Sequence, residues 1–168
     1  MRTSLIAGVL LGVLVTLWSL VVVATGWYTD PSMVWTFWIV VLIEIAVLIW
    51  ALRRAAADGQ RYGSQVWTGL LTSIVGGLLI FAGSLLITTV LYPEYFTEIR
   101  AAGADMARRA GQSEEAVRAI LETPTQTPIQ GALGGLIGTV ATGLLASLII
   151  AAFLRRKGIR RIDVTAGA

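Results

Sequence analysis

The sequence predicts an all-α protein, an integral membrane four-helix bundle with a short extracytoplasmic helical hairpin between helices 3 and 4. Three observations carry that prediction. Four apolar runs approach or exceed the roughly 20 residues that a bilayer requires, and together they absorb well over half of the 168 residues. Hydrophobic residues make up 56% and charged residues only 14%, against about 25% charged in soluble domains, and the mean hydropathy is +0.78. Basic residues gather at the ends of the runs, where orientation signals belong. A single membrane domain, residues 1–168, is the expected organisation.

The first run, residues 3–26, carries no charge. It is longer than the roughly 7 to 15 apolar residues of a signal peptide and reads as a retained helix. Gly8, Gly12 and Thr16 recur every four residues, a ridge of small side chains along which a second backbone can approach. Asp30 and Pro31 turn the chain, flanked by Trp27, Tyr28 and Trp35, rings that favour headgroup level.

The second run, residues 34–52, contains no glycine and one carboxylate, Glu44. Its twelve Val, Leu, Ile and Phe side chains each favour insertion by roughly 0.3–0.6 kcal/mol, whereas one central acid opposes it by roughly 2.5–3.5 kcal/mol. The segment inserts despite its acid. A polar connection with Arg53, Arg54 and Arg61 follows, then a third run over residues 67–92 with Gly69, Ser73, Gly76 and Gly77 as close-packing positions. Pro93 is expected to kink or end it.

Residues 94–127 form the one sizeable aqueous segment. Tyr95, Phe96, Ile99 and Met106, then Val117, Ile120 and Leu121, recur at helical spacing around Gly111. Ser113 before Glu114 and Glu115 has the form of a helix start, because a serine oxygen caps free NH groups and carboxylates suit the positive end of the dipole. Two prolines lead into the fourth run, residues 129–154, where Gly131, Gly134, Gly135 and Gly138 give two overlapping GxxxG patterns. The basic tail, residues 155–168, carries Arg155, Arg156, Lys157, Arg160 and Arg161. These, with Arg2, Arg53, Arg54 and Arg61, place both termini in the cytoplasm. In the same reading Arg53, Arg54 and the tail also attract anionic lipid.

The order of features resembles the bacterial membrane family filed as domain of unknown function 4199. The resemblance rests on the four spans, the basic connection between the second and third, and the Tyr-Pro-Glu-Tyr-Phe exit at Tyr92–Phe96. It also draws on Ser113-Glu114-Glu115 and the Gly-Leu-Leu-Ala-Ser-Leu-Ile run at Gly143–Ile149 that ends in Arg-Arg-Lys. It covers nearly the whole chain. It implies the topology and a bacterial inner membrane, and assigns no activity.

The chain has no cysteine and no histidine, which removes disulfides, thiol and imidazole catalysis, and metal or haem sites built on those ligands. No cofactor, no metal, no catalytic residue and no nucleic-acid partner is expected. An ionisable residue at the depth of Glu44 is a functional-site hypothesis by default. Counting inward from the ends places Ser73 and Ser147 near its level and Thr16 further out. In one reading Glu44 is protonated and donates a hydrogen bond to a neighbouring helix. In the other it binds a proton or cation.

Two functions follow. The first, preferred on sequence, is a non-enzymatic accessory or scaffold subunit whose glycine ridges contact other membrane subunits or a second copy. In that reading Tyr95, Phe96 and Met106 are the docking side chains of the outer hairpin. The second is a small dimeric proton-coupled transporter or channel using Glu44. Few polar groups converge at the midplane, which argues against a carrier on sequence grounds.

Overall fold

The computed structural model describes residues 2–165, with side chains described for residues 2–154. It contains six α-helices and, among the described residues, no strand: α1 (Arg2–Ala24), α2 (Thr36–Ala57), α3 (Tyr62–Leu86), α4 (Tyr95–Arg109), α5 (Glu114–Glu122) and α6 (Pro128–Thr165). Four stretches, Arg2–Ala24, Pro31–Ala57, Tyr62–Leu91 and Pro128–Leu154, are long and apolar enough to cross a membrane. The basic tail residues Arg155, Arg156, Lys157, Arg160 and Arg161 have side chains outside the described residues.

Local chemistry sets the ends of the helices. Two short 3-10 turns, Trp27–Thr29 and Pro31–Met33, join α1 to α2. The second is capped by Asp30, whose Oδ1 accepts from the Ser32 NH at 2.9 Å and from its hydroxyl at 2.8 Å. Those two bonds hold the Asp30 carboxyl below its usual range. Helix α2 runs past the expected end at residue 52 as far as Ala57, because Arg53, Arg54 and three alanines are good helix formers. Gly59 stops it: at φ +74° it turns the chain so that Gln60 NH reaches the Ala55 carbonyl at 3.1 Å. Helix α3 starts at Tyr62, earlier than the expected 67, and ends in a π turn over Ile87–Leu91 just before Pro93.

Helix α3 lies between α1 and α6 and packs most extensively against both, whereas α2 rests more lightly on α1, α3 and α6. Glycine explains the close approaches. A Cβ added at Gly8 would lie 2.6 Å from Val75 Cβ, and one at Gly12 would lie 2.5 Å from Leu79 Cβ. From the α3 side, Gly76 receives Leu11 and Gly77 receives Leu136, each within 2.7 Å of an added Cβ, while Gly69 receives Ser147. Gly83 receives Thr16 in the same way.

At the end formed by the start of α1, the end of α2 and the start of α3, the interior is filled by Ala7, Leu11, Leu48, Ala51, Leu52 and Ala151, with Tyr62 and Leu154 packed against them. Helices α4 and α5 form a hairpin at the opposite end. It has a small core of its own, Ala104, Ala107 and Val117. Ser113 caps α5 by accepting from Ala116 NH.

The ridge on α6 is only partly used in packing within the chain. Gly131 meets the Phe96 ring, but an added Cβ would find nothing within 4 Å at Gly134 or Gly138 and only an ordinary contact with Ile80 at Gly135. These three line a cavity instead of seating a helix. Gly12→Ala is accordingly expected to lower stability by about 1–3 kcal/mol. Gly138→Ala is expected to leave it unchanged or raise it by about 0.5–1 kcal/mol through helix propensity. Thermal unfolding of the purified variants in detergent measures both.

Candidate functional site

Helix α2 is periodic enough to place Thr36, Glu44, Val47, Leu48, Ala51 and Leu52 on its buried face. Glu44 belongs to that face, and its residue is only 5% exposed. One carboxyl oxygen, Oε2, lies 2.8 Å from the Thr142 hydroxyl on α6. The other, Oε1, is buried with no hydrogen-bond partner among the described residues, and so is the hydroxyl of Ser73 on α3. Both face Gly143, where an added Cβ would overlap Ser73 Oγ and come within 2.8 Å of Glu44 Oε1. Gly143 is what lets the acid and Ser73 meet α6.

Thr142 also lies 2.8 Å from the carbonyl of Gly138 in its own helix. Its single proton serves one acceptor at a time. An ionised Glu44 accepts from Thr142; a protonated Glu44 donates to it while Thr142 donates to Gly138. One side chain satisfies Oε2 in both protonation states.

The other expected partners lie elsewhere. Ser147 is fully buried, donates to the Gly143 carbonyl at 2.6 Å and packs on Gly69. Thr16 packs on Gly83. Of the predicted polar set, the structure brings Ser73 to Glu44 and leaves Ser147 and Thr16 in helix packing. Thr142 and Gly143 are the residues that sequence reasoning did not assign to the site.

Glu44 sits on the wall of a cavity of about 480 Å³ that extends toward the hairpin end. Helix α1 contributes Val15, Ser19 and Val23, α2 contributes Phe37 and Val40, and α3 with its π turn contributes Ile80, Ser84 and Thr88. Gly134, Gly138 and Thr142 of α6 recur at four-residue spacing along one side. Tyr95 of α4 lies at the hairpin end and is the only other titratable residue among those lining the cavity.

Tyr95 and Phe96 are not presented outward as docking groups. Tyr95 stacks on Tyr28 with ring centres 4.8 Å apart and meets Phe96 edge-on at 5.0 Å, and Phe96 covers Gly131. The aromatic exit from α3 closes the end of the bundle. Met106 alone of the three is exposed. The Tyr28 hydroxyl donates to Glu98 Oε2. Burial raises the Tyr95 phenol. Burial, then the hydrogen bond and negative charge of Glu98, push Tyr28 from 10.0 up to about 12. Arg53 and Arg54 are exposed at the opposite end, the Arg54 guanidinium lying 5.9 Å from the Trp50 ring centre.

The family model described as "Protein of unknown function (DUF4199)" matches residues 7–156. The chain belongs to that family. The match includes all of α2, α3, α4 and α5 and α6 as far as residue 156, and so Glu44, Ser73, Thr142 and Gly143. No curated protein and no solved structure matches the chain.

The Tyr28–Glu98 contact makes a pH prediction. Because the folded-state value lies above that of an unfolded tyrosine, the contribution of Tyr28 to stability is complete below about pH 10 and is lost as pH rises through about 12. Glu98→Gln removes the charge but not the burial, so Tyr28 should titrate lower than in the unmodified chain and still above 10.0. Tyrosinate difference absorbance against Tyr28→Phe measures this shift. Separately, Thr142→Val leaves both carboxyl oxygens of Glu44 unpaired and should destabilise by about 1–3 kcal/mol, read from thermal unfolding.

Proposed function

We propose that this protein is a small multi-pass carrier of the bacterial inner membrane that exchanges a bound solute for a proton at Glu44. One observation carries the reading: a 5%-exposed carboxyl with an unpartnered oxygen forms part of the wall of a 480 Å³ cavity. A packing hydrogen bond alone needs no cavity. Thr142 supports the exchange by satisfying Glu44 with or without its proton.

The membrane setting is supported by the four apolar helices. Arg2, Arg53, Arg54 and Arg61 lie at the filled end, while the α1–α2 connection has no basic residue, so the termini are cytoplasmic and the hairpin and hollow end face outward.

The accessory-subunit reading retains one supporting observation. Gly134 and Gly138 carry no packed neighbour within the chain among the described residues, so a helix of another subunit or a second copy has room to approach there.

One pair of measurements separates the two. Vesicles containing the full chain, loaded at acid pH and diluted into alkaline buffer, should accumulate at least one class of solute from a panel of small cations, anions and neutral molecules. Glu44→Gln should abolish that uptake while eluting and melting like the unmodified protein. Absence of uptake for every class, with stoichiometric recovery of other membrane subunits in a mild-detergent pull-down, would overturn the carrier and establish the accessory role.

A further inference from the structure

We propose that the cavity is a binding site for a small lipophilic monocation, an ammonium or phosphonium with an apolar body, with Glu44 as its counter-charge. The inference names the substrate class of the carrier proposed above and rests on that reading for transport, but binding is tested separately.

The charge assignment follows from what surrounds the acid. Glu44 Oε1 is buried and unpartnered, and no lysine or arginine of the described residues lines the cavity. The chain supplies an anion without its counter-ion. The hydroxyls point the same way: Ser19 donates to the Val15 carbonyl at 2.9 Å and Thr88 to the Ser84 carbonyl at 2.8 Å, each within its own chain segment. Their protons are spent internally, so they offer the cavity acceptor lone pairs. Ser84 and Thr139 can turn either way. An anion would meet one carboxyl and mostly acceptors, whereas a cation meets groups that suit it.

The walls favour an apolar body. Four valines, two isoleucines, three glycines and the aromatic side chains of Phe37 and Tyr95 line them, and aromatic side chains suit a cation with an apolar body. A volume of about 480 Å³ falls in the range of about 300–1,000 Å³ typical of sites for drug-sized molecules. The space beside Gly138 is open, since an added Cβ meets nothing within 4 Å.

Binding of the cation expels the Glu44 proton, so one proton leaves for each cation that enters and the charge of the site is conserved. Among the residues lining the cavity, α1, α3 and α6 present no titratable group and α4 presents only Tyr95. Burial raises that phenol above its usual 10.0, so it stays neutral over the range where a carboxyl exchanges. Affinity for the cation should therefore rise with pH and level off once Glu44 is ionised.

The test is equilibrium binding to the full chain in nanodiscs of zwitterionic lipid, with tetraphenylphosphonium and the same-shaped anion tetraphenylborate as probes and empty nanodiscs as the blank. Saturable phosphonium binding with release of about one proton is expected, and no saturable borate binding. Glu44→Gln should weaken phosphonium binding at least about tenfold. Gly138→Leu should weaken it comparably by occupying the cavity, with Glu44→Gln deciding the matter should the leucine variant misfold. Absence of saturable phosphonium binding to the folded protein, equal binding of borate, or full affinity in Glu44→Gln would each overturn the proposal. Glu44-dependent binding without gradient-driven uptake in vesicles leaves the site standing and overturns the carrier. Uptake of an anion or neutral solute without phosphonium binding does the reverse.

Discussion

The architecture depends on how closely two backbones come to α3. Gly69, Gly76 and Gly77 on that helix, and Gly8 and Gly12 on α1, leave no room for even one added carbon. Without a hydrophobic force to drive helices together inside lipid, contact of this kind supplies much of the association energy. Helices α1 and α6 are therefore drawn tightly to opposite sides of α3. Helix α2 has no glycine to offer, and its Val, Leu, Ile and aromatic side chains hold it further off.

That asymmetry produces an interior with two halves. Toward the basic end, Leu48, Ala51 and Leu52 of α2 interlock with Leu11 and Ala151. Toward the hairpin, α2 turns Phe37 and Val40 to a cavity whose far wall is bare backbone at Gly134 and Gly138. Glu44 stands at the boundary, close enough to Gly143 for the carboxyl to touch α6. The Tyr28–Tyr95 stack and Phe96 then cover the hairpin end.

Much of this was legible in the sequence, and the rest failed for a geometric reason. The four spans, the Ser113 cap and the lone intramembrane acid follow from composition and local pattern. Depth can be counted from the helix ends, which puts Ser73 and Ser147 near the level of Glu44; Ser73 and Glu44 both face Gly143. Rotation cannot. Ser147 and Gly143 lie four residues apart on the α6 face that meets α3, whereas Thr142, Gly138 and Gly134 lie on the face that lines the cavity. Five residues separate Thr142 from Ser147, enough to put them on different faces at 3.6 residues per turn. The same ambiguity affects GxxxG: a stripe of glycines permits close approach but does not state whether a helix, a ring or open space stands opposite. Gly131 faces the Phe96 ring and Gly138 faces space. Helical spacing does not say whether the hairpin's aromatic residues dock a partner or close the bundle; the chain turns Tyr95 and Phe96 back onto the bundle.

In the proposed exchange, coupling between proton and cation needs no long-range pathway. An ionised carboxylate held in a low-dielectric interior without a counter-charge is disfavoured, so the state in which Glu44 has neither proton nor cation is sparsely populated until pH rises far enough to ionise the empty site. The state with both is also disfavoured, because a neutral carboxyl gives a desolvated cation no countercharge. At acid and neutral pH that leaves two well-populated states that exclude each other at the same carboxyl. Thr142 has both acceptors within 2.8 Å, so it can exchange Gly138 for Glu44 without either helix moving. In the proposed exchange, stoichiometry is then a property of one carboxyl in one cavity, and the packed half of the bundle serves to hold that carboxyl against α6.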